Sequence, residues 1–331
     1  MSEIVIFAPS PVLTVTVEDH PDGPDVHFHA GGQGVWQARM LRRIGADVTL
    51  CSVLSGESGR MLRHLLDDEG IHVVAVEREA RGGAYVHDRR GGERVKVVET
   101  GGAPISRHDL DELYGVTLRE GMRADLVILS GPAGEDTLPA DVYRRLAADI
   151  RTSGHPVVVD LAGERLTAAL AGGVTVAKVS DEELLADGRV HANTTDQVIA
   201  AMRAIKAEGA ATVIVTRADK PFLVLTDDAL NEVTPPRMEI ADTSGAGDSL
   251  TAGVAATLAA GGTTDEAVMV GAAAGALNVT RHGLGTGDLE AITAMRDLVR
   301  ARTLGDEVDE AMSLSPEELA GQVHESSDDE V

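Results

Sequence analysis

Short apolar runs rich in Val, Ile and Leu recur at residues 4–8, 48–54, 125–130, 156–160, 174–179 and 212–216. Between them lie segments whose apolar positions return every three to four residues, at 34–44, 58–69, 140–151, 196–208 and 265–281. The runs read as strands buried on both faces, and the periodic segments as amphipathic helices laid against them. Their alternation predicts an α/β fold: a mostly parallel, doubly wound sheet flanked by helices. Two places break the rhythm. Residues 12–17 with 26–29, and 84–88 with 94–98, read as hairpin-like strands with no helix between, and Gly91-Gly92 supplies a turn for the second. They predict a small β-lobe built from two insertions, about 12–30 and about 80–100.

One large domain is expected over residues 1–303. From 304 to 331 the chain is dominated by Asp and Glu. A single short helix fits 315–322, with Ser315 as cap and Pro316 at its first position. The rest of 304–331 reads as a disordered acidic tail.

Composition narrows the partners. The 331 residues carry a formal charge of −25, and of 29 basic residues only 4 are Lys. Such a surface repels nucleic acid and anionic lipid, so neither is an expected partner. No apolar run reaches membrane-spanning length, and residues 2–5 lack the pattern of a signal peptide. The single cysteine, Cys51, lies in an apolar run, which excludes a disulfide framework and suits a reducing cytoplasm.

The chemistry concentrates at 242–249, Asp-Thr-Ser-Gly-Ala-Gly-Asp-Ser, ahead of a helix of small residues. Gly245, Ala246 and Gly247 permit a tight turn, and the amides opening the helix favour an anion. A carboxylate, Asp248, inside such a turn brings nothing to a plain anion pocket. It fits phosphoryl transfer, where the amides hold developing charge and Asp248 takes a proton from the attacking hydroxyl. Asp242 and Thr243 read as shaping the turn.

This segment resembles the C-terminal signature of the ribokinase-like (PfkB) carbohydrate kinases. Segment 30–38 (Ala-Gly-Gly-Gln-Gly-Val-Trp-Gln-Ala), Ile105-Ser106, Leu129-Ser130-Gly131 and Lys178–Glu183 resemble further landmarks of that family. The resemblance runs from about residue 4 to about 302. It is nearest the 1-phosphofructokinase and tagatose-6-phosphate kinase branch, and implies that the small β-lobe is a lid, with ATP, Mg²⁺ and a homodimer formed through that lid. It implies that Lys178 and Thr216 lie near the nucleotide and that Glu183 supports Mg²⁺ through water. Ser180 and Glu183 also fit a helix capping box. Asn278 is either a nucleotide-side residue or a satisfied core amide. The glycines the family carries after strand 212–216 are absent; Arg217-Ala218-Asp219-Lys220 stands there.

The substrate side departs most from the family. Thr14 stands where an Asp is expected, Gln33 for Lys and Trp36 for Asn, while Gly31, Gly32 and Gly34 keep the turn. Thr14 and Gln33 can hydrogen-bond a sugar but bring no charge, and Trp36 either faces the sugar ring or packs. A phosphorylated acceptor would need cations elsewhere, and Arg94 and Lys96 on the second lid strand are the candidates, unless they form a solvated face. Arg281-His282 is a further basic pair of unassigned role. The expected function is a sugar or sugar-phosphate kinase of 1-phosphofructokinase type. The alternatives are a kinase of an unphosphorylated sugar, nucleoside or polyol, or an inactive ligand-sensing relative.

Overall fold

The computed structural model describes residues 2–305, apart from 93, 219, 281–284 and 286. The first apolar run forms β1 (Glu3–Phe7), with β4 (Asp47–Ser55) and then β5 (His72–Arg78) parallel to it on one side. On the other side follow β8 (Leu126–Ser130), β9 (Val157–Asp160), β10 (Val174–Ser180) and β11 (Ala210–Arg217), also parallel. Antiparallel strands β12 (Lys220–Leu225), β13 (Leu230–Thr234) and β14 (Arg300–Thr303) extend that edge, for ten strands in all.

Alternation along the strands divides the interior into two cores. Ile4 and Ile6 face one, with α1 (Gln33–Ile44), α2 (Gly56–Asp68), α8 (Ala246–Ala259), α9 (Thr264–Asn278) and α10 (Leu289–Arg296). Val5 and Phe7 face the other, with α3 (Arg107–Gly121), α4 (Asp141–Thr152), α5 (Gly163–Gly172), α6 (Asp181–Ala186) and α7 (Thr195–Glu208). The sheet winds away from β1 in both directions, so the crevice at the carboxyl ends of β1 and β8 is where such folds place ligands. Small residues let α8 and α9 meet closely: a Cβ on Gly253 would lie 2.8 Å from the Cα of Gly271. This contact seats the start of α8 over the crevice.

A second sheet of four strands is formed by β2 (Val12–His20), β3 (Gly23–Gly31), β6 (Gly83–Asp88) and β7 (Val95–Thr100). Its register puts Phe28, Val15, Val86 and Val98 in one row across the four strands. His27, Thr16, His87 and Lys96 form another row on the opposite face. Thr16 and His87 are buried, whereas Val26, Phe28 and Val98 are about half exposed. On the two inner strands the polar row therefore turns inward, while His27 and Lys96 at its ends stay exposed and the apolar row is partly open to solvent.

The structure differs from the sequence reading in several elements. The period-based reading did not mark β5, α3, α5, α10 or the antiparallel strands β12–β14. The helix expected over 265–281 ends at Asn278. Arg94 precedes β7 instead of lying on it. At the end of the domain, Leu304 still bonds through its amide to the Leu230 carbonyl and packs on the second core. Arg281-His282 and residues 306–331, including the proposed helix at 315–322, lie outside the described residues.

Candidate active site

Three strand ends build the floor. The alternation that puts Ile128, Val158 and Val176 in the first core carries on to Ser130, Asp160 and Lys178 at the carboxyl ends of β8, β9 and β10. These three are neighbours in register, Ser130 beside Asp160 and Asp160 beside Lys178. A polar side chain at each of these core-facing positions must find partners, because burying it unpaired is costly. Lys178 Nζ lies 3.0 Å from Asp160 Oδ1. The other oxygen, Oδ2, accepts from Thr251 Oγ1 at 2.9 Å and Gln37 Nε2 at 3.2 Å.

The signature turn closes over this floor. Gly245 caps α8 in the left-handed region, φ 75°, a conformation that favours glycine. A Cβ on Gly247 would lie 2.7 Å from Lys178 Nζ, so the absent side chain lets the ammonium approach the backbone that opens α8. Ala246 and Gly247 are the first two residues of that helix, whose free amides and dipole favour negative charge. Asp248 is the third, buried to 8% exposure. Its Oδ1 accepts from Gln37 Nε2 at 3.4 Å. Burial first, and then the Asp160 charge, push its carboxyl up to about 8, against the pull of Lys178. Burial alone would lower the Lys178 ammonium, but Asp160, Glu183 and Asp248 outweigh it and hold Lys178 above the ordinary lysine range.

The nucleotide-side candidates have mixed placements. Thr216, the last residue but one of β11, lies beside Ser180. Glu183 completes the capping box: its Oε2 accepts from Ser180 N at 2.7 Å and Ser180 Oγ at 2.8 Å, and Oε1 is not used by the cap. Asn278 is 1% exposed, with its Nδ2 donating to Ser244 O at 2.7 Å and its Oδ1 accepting from Gly285 N at 2.9 Å. Both ends of that carboxamide hold backbone, so Asn278 has the satisfied-amide arrangement and braces the signature turn. Ala218 takes φ 44° where a glycine would relieve strain.

On the acceptor side, Gly32 (φ 105°) caps α1 and leads into Gln33, whose Oε1 accepts from Gly131 N at 2.6 Å. Thr14 Oγ1 lies over Gly31, 2.3 Å from where a Cβ there would stand. Trp36 is half-buried on the first turn of α1 and belongs to neither core cluster. The two lid cations part company. Lys96 lies on a strand exposed throughout and pairs with Glu99 at 3.1 Å. Arg94 reaches Asp242 of the signature at 3.7 Å, and Arg89 reaches the same oxygen at 3.6 Å. Burial works against the Asp242 charge, but the Ser244 amide and these guanidinium groups hold its carboxyl below the usual range.

Sequence reasoning missed Asp160, Gln37, Thr251 and Arg89. Asp160 had a signal: an acid ending an apolar strand on a core-facing position. Gln37 had a weaker one, a lone amide on the buried stripe of a helix.

Over 279 residues the chain is 29% identical to the ATP-dependent 6-phosphofructokinase isozyme 2 of Escherichia coli, covering 82% of this chain and 89% of that protein. It is 28% identical to the 1-phosphofructokinase of Haloferax volcanii over 313 residues, 91% and 99% of the two chains. The crystal structure of Escherichia coli phosphofructokinase-2 in complex with potassium superposes with TM-score 0.78 at 25% identity, covering 90% of this chain and 99% of that one. The pfkB family carbohydrate kinase model matches residues 3–292, and the chain belongs to that family of sugar kinases.

Proposed function

We propose that this sugar kinase is of 1-phosphofructokinase type, transferring the γ-phosphoryl group of ATP to a hydroxyl of a sugar phosphate, with Asp248 as base. The observation that carries the reading is a buried carboxylate at the third position of a glycine-capped helix, beside an ammonium. Bound ATP with Mg²⁺ supplies the phosphoryl group and a charge-neutralising ion. The amides of Gly245, Ala246 and Gly247 are suited to hold the charge that develops on the transferred group. Lys178 adds a fixed positive charge under the same turn. Glu183 keeps one hard oxygen outside its cap, which suits an Mg²⁺ that retains its waters and is held indirectly. Thr216 fits a hydroxyl contact on the nucleotide side.

For the acceptor, Thr14 and the Nε2 of Gln33 are suited to bind hydroxyls, Gly31 and Gly32 let backbone approach, and Trp36 offers an apolar face. Arg94, joined by Arg89, is the cationic group best placed for an acceptor phosphate; Lys96 is the weaker candidate. A second reading, an unphosphorylated sugar, nucleoside or polyol as acceptor, is favoured by one observation: Arg94 is engaged by Asp242. The outward apolar row of the small sheet supports a homodimer through the lid. Among the described residues no helix is long and apolar enough to cross a membrane. Burial pushes the Cys51 thiol up to about 12, an unreactive state that fits a reducing cytoplasm.

An ATP-coupled assay over fructose 1-phosphate, fructose 6-phosphate, tagatose 6-phosphate, free hexoses and nucleosides tests the reading. Fructose 1-phosphate is expected to give the highest kcat/KM. A free hexose or nucleoside at the top of the ranking would replace the proposed acceptor with the second reading.

A further inference from the structure

Gln37 is 0% exposed, and every polar atom of its carboxamide faces another polar group. Its Nε2 lies between two carboxylates, 3.2 Å from Asp160 Oδ2 and 3.4 Å from Asp248 Oδ1. Its Oε1 accepts from Ser130 Oγ at 2.5 Å. Asp160, ion-paired with Lys178, sets the orientation: a carboxylate only accepts, so the NH₂ end must face it and the carbonyl end faces the Ser130 hydroxyl. Ser130 is itself fixed, at a strand end whose carbonyl takes the Tyr143 hydroxyl at 2.9 Å.

We infer that Gln37 is a positioning residue for the base: locked by Ser130, its amide ties Asp248 to Asp160 and leaves Asp248 Oδ2 for the acceptor hydroxyl. The assignment rests on the reading of Asp248 as base and goes beyond it by saying what holds the base in place.

A neutral donor is the residue type this position needs. The groups facing Asp248 are Asp160 from β9, Lys178 from β10 and Glu183 from α6, two acids and one base. Lys178 lies on Asp160 and, by geometry, is its partner. A lysine at 37 would pin Asp248 in an ion pair, and a glutamate would add a third repelling carboxylate. The glutamine amide does neither. It joins the two carboxylates without adding charge, and hydrogen bonding to the ionised form of Asp248 favours that form, easing the deprotonated state that general base catalysis requires.

The test follows Asp248 directly. With ¹³C-carboxyl-labelled aspartate, the Asp248 resonance is identified by its loss in Asp248→Asn. It is then titrated in the wild-type enzyme, Gln37→Ala and Ser130→Ala, with thermal melting of each variant. Removing the amide is expected to raise the Asp248 midpoint by about one pH unit. Ser130→Ala should move it the same way by less, and the double variant no further than Gln37→Ala. The acid limb of kcat/KM with the best acceptor of the substrate panel should follow these shifts. A titration unmoved in both single variants, with only a lower melting temperature, would make Gln37 a packing residue and overturn the inference. If Gln37→Ala does not fold, Ser130→Ala, which removes one hydroxyl, decides alone. Failure of the underlying reading looks different: Asp248→Asn would then keep its turnover whatever the titrations show.

Discussion

At the scale of single residues, the site depends on how few groups surround Asp248. Asp160 accepts from three donors, Lys178, Thr251 and Gln37, whereas among the described residues Asp248 has only the long bond to Gln37. Burial with so few donors to offset it, and then the Asp160 charge, raise the Asp248 carboxyl, which suits the proposed role of taking up and releasing a proton. Asp248→Asn is expected to lower kcat by about 10²–10⁴ with nucleotide Kd nearly unchanged. Turnover within a few-fold of wild type, alongside an intact titration-calorimetry Kd, would make Asp248 structural. The raised carboxyl also ties stability to pH. Its ordinary value in an unfolded chain is about 3.9, and in the fold it is about 8. This residue's contribution to stability is thus fully present below about pH 4 and lost as pH rises through about 8.

At the scale of elements, the segment between β6 and β7 is tied to the turn before α8. Arg89 and Arg94 share Asp242 Oδ2, while Asp242 Oδ1 accepts from Ser244 N at 2.9 Å inside the turn. A contact made on the small sheet can therefore be felt where the α8 amides begin. Isolated exposed ion pairs are worth about 0–1 kcal/mol, but Asp242 and Arg89 are mostly buried, which raises the stakes. In a double-mutant cycle, Arg94→Gln and Asp242→Asn should each raise the acceptor KM. The double variant should be no worse than the weaker single, a coupling of about 1 kcal/mol. Strictly additive effects on KM would leave Arg94 an independent phosphate ligand or a bystander.

At the scale of the whole molecule, the small sheet presents its apolar face to water. Val26 and Phe28 are each 48% exposed, Val98 47% and Val95 59%. A partly exposed apolar row across four strands, with Thr16 and His87 buried behind its two inner strands, has the character of an interaction surface. Phe28→Glu is expected to shift the protein from dimer to monomer in sedimentation while leaving the melting transition cooperative. A wild-type protein that sediments as a monomer at micromolar concentration would remove the lid-mediated dimer.

Much of this was fixed by local pattern. Strands buried on both faces read as unbroken apolar runs and helices as three-to-four periodicity, so the parallel sheet and its two helical layers were legible from residue order. The antiparallel edge of β12–β14 was not, because its strands alternate irregularly and β14 pairs with β13 across about seventy residues of sequence. The signature turn was legible because its chemistry is contiguous: a glycine-capped helix start carries its amides and Asp248 within a few positions. Asp160, Lys178, Ser130 and Gln37 meet from three strands and a helix, with Gln37 and Asp160 separated by 123 positions. No local period records such a meeting. That Arg94 reaches a carboxylate likewise became visible only where the chain returned at Asp242. Sequence determined which segments could bury themselves and where an anion-binding helix would start; tertiary packing decided which polar groups share one buried space with Asp248.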